Sequence, residues 1–552
     1  MNFCDNCGED QRQNIGAKYC ANCGNPLKTD NPLSFPQWEN YEKELRDRLS
    51  SLKRATGKSA FGNGYNSYGI IFTNLYALAK KLNCGEDEVE TVILNYISQV
   101  EKCGHQYVLL NASNNSYSNI DADDGWQSHV KLLKDFHDNN SQAEYLFIFG
   151  GHDVVPMAII DNEPRLFPFD SKIDTDMPYG YLIGSGFEDL LWNGNLFKKD
   201  IFLYCGRLPI PSDRNLDDVE TYLSNSINVI SAGVDTKHCF GMTAKSWEMA
   251  SSTVIKKIQL TKELYTSPEH NIQTAMDVFN IRSDVYYFNL HGYDVPSVPE
   301  FFGDEEIPVI TPEFLSQAEN LNFLVTEACY GAKFIGFEST DSMVLTSLFT
   351  KTVAYIGSSK VAWGSLTENI SSADVVAKSF LENILSGEPC GRALAFARID
   401  VFDSCPGEHF DYGTTSAAEF NLFGDPLCSI DSNSKKKSFP LGSKKMRSRS
   451  FYNTRPEKIE IKLDTIEKSI LNNVRNMVNQ EVIKIREVIN RELYKQFDIK
   501  PPQLSMVFEI KGKYGEVTYN YNYYKEIASG KSQVYSVFTD RLGNIKSIIQ
   551  SK

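Results

Sequence analysis

Two stretches of the 552-residue sequence place reactive side chains at the ends of apolar runs. Val285-Tyr286-Tyr287-Phe288-Asn289-Leu290 leads into His291-Gly292, and Asn322-Phe323-Leu324-Val325-Thr326-Glu327-Ala328 leads into Cys329-Tyr330-Gly331. Short β-branched and aromatic runs of this kind read as buried strands. In an open α/β sheet, ligands gather at the carboxyl ends of strands. Neighbouring parallel strands would therefore bring the imidazole and the thiol to one rim. A thiol attacks a carbonyl as its thiolate, and an adjacent imidazole can take the proton. Gly292 has no Cβ and lets a substrate backbone approach. Its N–H and that of Cys329 are natural donors to an oxyanion. A core cysteine and a hydrogen-bonded histidine would use the same residue types, so the pair alone does not decide.

A second constellation lies at the N-terminus. Cys4-x2-Cys7 and Cys20-x2-Cys23 are two knuckles with a glycine after each second cysteine, Gly8 and Gly24. Four thiolates at this spacing can wrap one Zn²⁺ tetrahedrally, with no position left open for chemistry. A segment this short cannot build a core without such a staple. It resembles the zinc-ribbon modules that bind partners at the ends of many prokaryotic proteins, so a structural zinc is expected over residues 1–28. Thr56-Gly57-Lys58-Ser59 is not a phosphate-binding loop, because Leu52 stands where the first glycine belongs.

The elements that must position these groups alternate. Apolar runs at Gln106–Leu110, Tyr145–Phe149, Ile201–Tyr204, His238–Met242, Val285–Leu290, Phe323–Val325 and Val353–Ile356 are separated by helix-like stretches such as Asp217–Ile230, Ala250–Leu264 and Asp374–Leu385. This predicts an α/β domain with a mainly parallel sheet over residues 69–430. Residues 29–68 read as a linker with one helix, Trp38 to Leu52. Residues 431–455 read as a basic linker, with no acidic residue from Ser432 to Pro456. Residues 456–552 predict a small α+β unit: a long helix from Ile459 to Phe497, then strands Leu504–Lys511, Glu516–Tyr524, Ser532–Thr539 and Ile545–Ile549. A hairpin turn at Asp540–Asn544 joins the last two strands.

Charge divides the same way. The net charge is −15. Residues 434–552 carry 24 basic and 12 acidic residues, which leaves the remainder at −27. A nucleic-acid partner is therefore not expected, and the acidic body favours basic substrates. No apolar run approaches the ~18 residues of a membrane span. With no secretory leader at Met1-Asn2-Phe3-Cys4-Asp5, an intracellular, cytoplasmic protein is expected.

Beyond the two strand ends, further segments occur in a fixed order. These are Phe147-Ile148-Phe149-Gly150-Gly151-His152-Asp153, Asp174-Thr175-Asp176-Met177-Pro178-Tyr179, Cys205-Gly206-Arg207-Leu208-Pro209, Ser359-Lys360-Val361-Ala362-Trp363 and Phe420-Asn421-Leu422-Phe423-Gly424-Asp425-Pro426. Together with His-Gly and Ala-Cys-x-Gly they resemble the gingipain-like branch of the caspase clan of cysteine peptidases, over about residues 140–430. The resemblance implies a caspase-like (caspase–haemoglobinase) fold in two subdomains, 69–235 and a catalytic 236–430. It implies Cys329 as nucleophile, His291 as general acid/base, and an acyl-enzyme intermediate. It implies Trp363 beside the specificity pocket and admits Ca²⁺ as a cofactor. Cleavage after Lys or Arg would need an acidic group in that pocket. Glu248 is the nearest candidate, and a surface role capping the helix at Ala250 is its alternative. No third member of the triad is evident, since Thr243-Ala244-Lys245 fills the stretch that would supply it. His152-Asp153 reads as a turn.

The expected function is thus an intracellular cysteine endopeptidase acting on a protein substrate, in a bacterial defence or cell-death setting. Its own linker, Lys435 to Arg449, with seven basic residues, offers a site for self-processing or a tether held against the acidic body. The alternative is an inactive protease-fold scaffold that binds a regulatory or effector protein through the zinc ribbon or the C-terminal unit.

Overall fold

The structure is a computed structural model. It describes residues 61–430, apart from 63, 165, 167–169, 235–237, 257–260, 279–282, 295–299 and 318–320, and then residues 455–461, 503–511, 516–527, 531–540 and 542–552. The four N-terminal cysteines, the helix expected at Trp38 to Leu52, the basic linker and most of the long helix expected after Ile459 lie outside the described residues.

The alternating apolar runs form one ten-stranded sheet. In chain order its strands are β1 (Tyr68–Thr73), β2 (Gln106–Asn111), β3 (Tyr145–Phe149), β6 (Tyr204–Leu208), β7 (His238–Ala244), β8 (Thr261–Ser267), β9 (Val285–Asn289), β12 (Phe323–Thr326), β13 (Ala354–Ser358) and β15 (Phe420–Gly424). Their order across the sheet is β2-β1-β3-β6-β15-β13-β12-β9-β7-β8. All pairings are parallel except β13 with β15. Strands buried on both faces explain why β3, β9 and β13 are unbroken buried runs rather than alternating ones. Two small antiparallel pairs lie outside this sheet: β4 (Ala158–Asp161) with β5 (Lys172–Thr175), and β10 (Phe301–Phe302) with β11 (Pro308–Ile310).

A second, six-stranded antiparallel sheet is built from β16 (Glu457–Ile461), β17 (Gln503–Lys511), β18 (Val517–Ile527), β19 (Lys531–Thr539) and β20 (Ile545–Ser551). Its sixth strand is β14 (Trp363–Ser365), which the first domain contributes. The four C-terminal strands expected from the sequence are all present. The turn before β20 closes through Asp540, whose carboxylate accepts from the Leu542 and Asn544 N–H groups, with Gly543 at φ 85°.

Three expectations require correction. The strand expected at Ile201–Tyr204 begins only at Tyr204. Phe202 is largely exposed, and the Phe202 and Leu203 N–H groups are spent on the Gly180 carbonyl instead of a ladder. The helix expected at Ala250–Leu264 is Glu248–Ile255, and Thr261–Leu264 belongs to β8, whose β-branched and aromatic residues pair with β7. Ile459 to Ile461, expected to start a helix, lie in β16 against β17.

Candidate functional site

Strands β9 and β12 are direct neighbours, and Thr326 pairs with Phe288. Cys329 and His291 each lie three residues past that pair, so the sheet register delivers both to the same edge. The two loops touch closely. A Cβ at Gly292 would stand 1.9 Å from the Cys329 carbonyl oxygen, so only glycine fits there. Tyr330, the next residue after Cys329, sits in the left-handed region at φ 54°. Such a conformation costs about 1–3 kcal/mol in a non-glycine residue and marks a turn held by its surroundings. A hollow of about 30 Å³ opens beside Gly292 and Cys329, lined also by Tyr293, Phe301, Tyr330 and Lys333.

His291 is fixed from several sides. Its backbone exchanges hydrogen bonds with Phe302 at 2.8 and 2.9 Å. Its ring packs on Trp247, with centroids 4.3 Å apart. Its Nε2 faces Asp304 Oδ1 at 3.7 Å. Asp304 in turn accepts from the Ser246 N–H at 2.8 Å and the Ser246 hydroxyl at 2.6 Å. Burial pushes the Asp304 carboxyl up, but the hydrogen bonds from His291 and Ser246 outweigh it and hold the group below its ordinary range. Asp304 therefore stands where the sequence left the third position empty, and Ser246-Trp247 follows directly on the Thr243-Ala244-Lys245 stretch that looked unsuitable. The turn presenting Asp304 carries two more left-handed residues, Glu305 and Glu306.

The most informative neighbour of Cys329 is Lys552. β20 runs antiparallel along β14, pairing Ser551 with Trp363, Gln550 with Gly364 and Ile549 with Ser365. Lys552 continues this line. Its N–H donates to the Ala362 carbonyl at 2.9 Å, and its carbonyl accepts from the Cys329 N–H at 3.3 Å. Its side chain enters a closed pocket, where the ammonium donates to Asn289 Oδ1 at 2.9 Å, to Asp374 Oδ1 at 2.6 Å and to Glu327. The ammonium also lies 5.4 Å from the centre of the Trp247 ring. All three acceptor residues are fully buried. An ammonium has three donors and no acceptor, so three acceptors satisfy it completely.

Each wall of this pocket is itself braced. Asp374 Oδ2 accepts from the Ser365 and Ser371 N–H groups. Tyr287 donates to Glu327 at 2.6 Å, and the Asn289 amide nitrogen donates to Ser251 at 2.9 Å, leaving its oxygen for the lysine. Gly364 makes room for the lysine: a Cβ there would meet Lys552 Cε at 1.8 Å. Burial pushes the Glu327 carboxyl up to about 8; Lys552 opposes this and Asp374 adds to it. Burial alone would lower the Lys552 ammonium, but Asp374 and Glu327 outweigh it and raise it.

A pH test follows. Between its ordinary value of 4.5 and about 8, Glu327 holds a proton in the folded chain that it loses in the unfolded one. The stability from that proton is complete below about 4.5 and is lost as pH rises through 8. Melting curves should show Glu327→Gln gaining on wild type steadily from pH 5 to pH 8.5. A constant offset would contradict the raised carboxyl.

The other site residues expected from sequence fall as follows. Glu248 opens its helix at a half-exposed position and pairs with Lys245 at 2.8 Å. It lines a different hollow, with Met249, Lys256 and Glu368, so the surface role is the one the geometry gives it. The acids that meet the Lys552 ammonium are Glu327 and Asp374. The backbone of Trp363 forms the β14 rail, but its buried ring packs edge-on against Tyr412 at 5.3 Å, and the ring facing the lysine is that of Trp247. His152 accepts from the Met157 N–H at 3.1 Å, and Asp153 pairs with Lys81, as a turn would. Among the described residues, no group of three or more His, Cys, Asp or Glu side chains could hold a metal. No helix among them is long and apolar enough to cross a membrane.

Residues 105–430 match the model of peptidase family C25. Among solved structures, the chain is similar to the Arg-specific cysteine proteinase gingipain R (RgpB), with 11% identity over 86% of this chain and 94% of that one and a TM-score of 0.46. It is also similar to the complex of the Porphyromonas gingivalis RgpB pro- and mature domains, with 12% identity over 87% and 99% and a TM-score of 0.45. No curated protein matches.

Proposed function

The chain belongs to peptidase family C25 and is a cysteine endopeptidase; from that premise we propose that it cuts protein substrates after a basic residue, using Cys329 and His291. The observation carrying this reading is the lysine side chain whose ammonium meets Asn289, Glu327 and Asp374 while its carbonyl rests on the Cys329 N–H. A substrate lysine or arginine in that pocket would place its carbonyl carbon beside the Cys329 sulfur. His291 takes the thiol proton through Nδ1, because Nε2 is engaged on the Asp304 side. The thiolate adds to the carbonyl, the oxyanion is held by the N–H groups of Cys329 and Gly292, and His291 returns the proton to the leaving amine. Water then hydrolyses the acyl-enzyme by the same steps in reverse.

Asp304 acts through His291 by orienting the ring. Asp304→Asn should lower kcat about 10- to 100-fold with KM little changed, and should distort the acid limb of the pH–rate profile. A KM effect alone would remove it from this role.

The reading is tested with a Lys-directed acyloxymethyl ketone. Labelling should map to Cys329 and be lost in His291→Ala, and persistence of the label without the histidine would reject the pair. Self-cleavage within residues 435–449 is part of the proposal, and intact masses of wild type and Cys329→Ala would differ if it occurs. The caspase-like architecture, an intracellular defence or cell-death role and a protein partner belong to the same reading. So does a structural Zn²⁺ on Cys4, Cys7, Cys20 and Cys23. Metal analysis should find about one zinc per chain, and none in Cys20→Ser with Cys23→Ser.

A further inference from the structure

We propose that the chain's own segment Ile549–Lys552 is a resident ligand of the substrate groove, seated as the last four residues of a substrate on the acyl side, with Lys552 in the position of the residue being recognised. This rests on the proposed peptidase site and adds what fills it.

A peptide substrate bound in an extended form would add a strand to β14, the usual way a protease groove reads main chain. β20 already occupies that edge over three residue pairs. Substrate recognition needs a side chain in the Asn289–Glu327–Asp374 pocket, and Lys552 fills it completely. It also needs the carbonyl on the Cys329 N–H, and the Lys552 carbonyl is there. The strand pairing, the side-chain pocket contacts and the Cys329 N–H contact of a basic substrate are thus made by the chain itself. Cys329 is consequently buried, its sulfur 3.6 Å from the Ala362 carbonyl oxygen, and that burial pushes its thiol well up.

The occupant also sets the reading of the pocket. Three acceptors around one nitrogen suit a compact ammonium, whereas a guanidinium spreads its five donors over a plane. Gly364 touches the lysine side chain near its end, which leaves little room for a longer group. Lysine is therefore the preferred residue over arginine.

A tethered ligand competes at an effective concentration of order millimolar. It raises the apparent KM of any external substrate until something withdraws β20. Withdrawal of Ile549–Lys552 breaks the Lys552 contacts, the three β14 pairs and the β19 pairs at Ile549 and Gln550, while β16 to β19 can stay paired.

The test uses the full chain and a readout that does not require turnover. Cys329 alkylation by iodoacetamide is followed by peptide mass spectrometry in wild type, Lys552→Ala and Gly364→Ala. The first variant empties the pocket from the ligand side. The second displaces the lysine side chain from the wall side without substituting residue 552. Both should alkylate at least tenfold faster than wild type. Added peptide Ile-Ile-Gln-Ser-Lys should slow Lys552→Ala again, while the same peptide ending in Glu should not. Equal rates in wild type and both variants, with melting curves showing folded protein, would overturn the proposal. Faster alkylation without any peptidase activity would keep the resident ligand and reject the peptidase site. Turnover with equal alkylation rates would do the reverse.

Discussion

Exchanging both pocket carboxyls for amides, Glu327→Gln with Asp374→Asn, should lower kcat/KM for a peptide with lysine before the cleaved bond by about 10²- to 10⁴-fold. The reason is the burial of the ammonium. Glu327, Asp374 and Asn289 are all sealed from water, and the lysine that meets them is sealed as well. Amides of the same shape keep the packing and leave a cation with no counter-charge. Removing the partner of a buried charge typically costs about 3–5 kcal/mol, and each 1.4 kcal/mol is a factor of ten. A norleucine substrate carries the same chain without the charge, so its kcat/KM should rise or hold. The ratio of lysine to norleucine is the decisive quantity, and it should fall by at least a hundredfold. The measurement belongs in a Lys552→Ala background, where the internal ligand cannot mask the change. A ratio within threefold of the parent would mean that these acids do not recognise the substrate.

This pocket also separates what the sequence could reveal from what it could not. Cys329 and His291 were legible because each ends an apolar run, and parallel strands deliver such ends to one edge. Glu327 and Asn289 carried a fainter signal of the same kind. Each is a polar residue two positions before the reactive one, on a strand otherwise buried, and they follow the Thr326–Phe288 pair in register. A buried charge in an apolar strand calls for a partner, and that partner was not visible because it lies 225 residues away at Lys552. Asp374 looked like an ordinary acid in the first turn of a helix. Asp304 had no periodic pattern around it, and its role depends on a strained turn carrying it toward His291.

Several segments that suggested a peptidase turn out to be structural. Asp176 forms a buried two-point pair with Arg207 at 2.8 and 2.7 Å. Asp425, after the last strand of the sheet, accepts from the Tyr96 and Tyr107 hydroxyls. These residues hold the sheet that aims the site. The charge asymmetry has a local counterpart too: Arg455 pairs with Glu163 and Asp411, and Lys458 also reaches Asp411. The acidic domain does hold the start of the basic C-terminal unit. Among the described residues of that unit, the segment that reaches Cys329 is the end of β20.

Gly292→Ala should lower kcat by about 10³-fold while leaving a folded protein. The position has an ordinary backbone conformation, so alanine brings no φ penalty. Its cost comes from space alone. The new Cβ would lie 1.9 Å from the Cys329 carbonyl oxygen and 3.0 Å from the carbonyl carbon, both backbone atoms that cannot rotate away. Either the His291 loop or the Cys329 loop must retreat by an ångström or more. A displacement of that size between reacting groups is worth about a hundredfold. It also carries the Gly292 and Cys329 N–H groups off the oxyanion, where one lost donor costs about 10²- to 10³-fold. These two losses share a single movement, so they overlap rather than multiply fully. The lysine pocket lies on β9, β12, β14 and the helix carrying Asp374, and it is left intact. Binding of a non-hydrolysable lysine peptide should therefore change less than threefold while turnover collapses. If alanine at position 292 kept more than a tenth of the parent kcat, the close contact between the two loops would not be part of the reacting geometry.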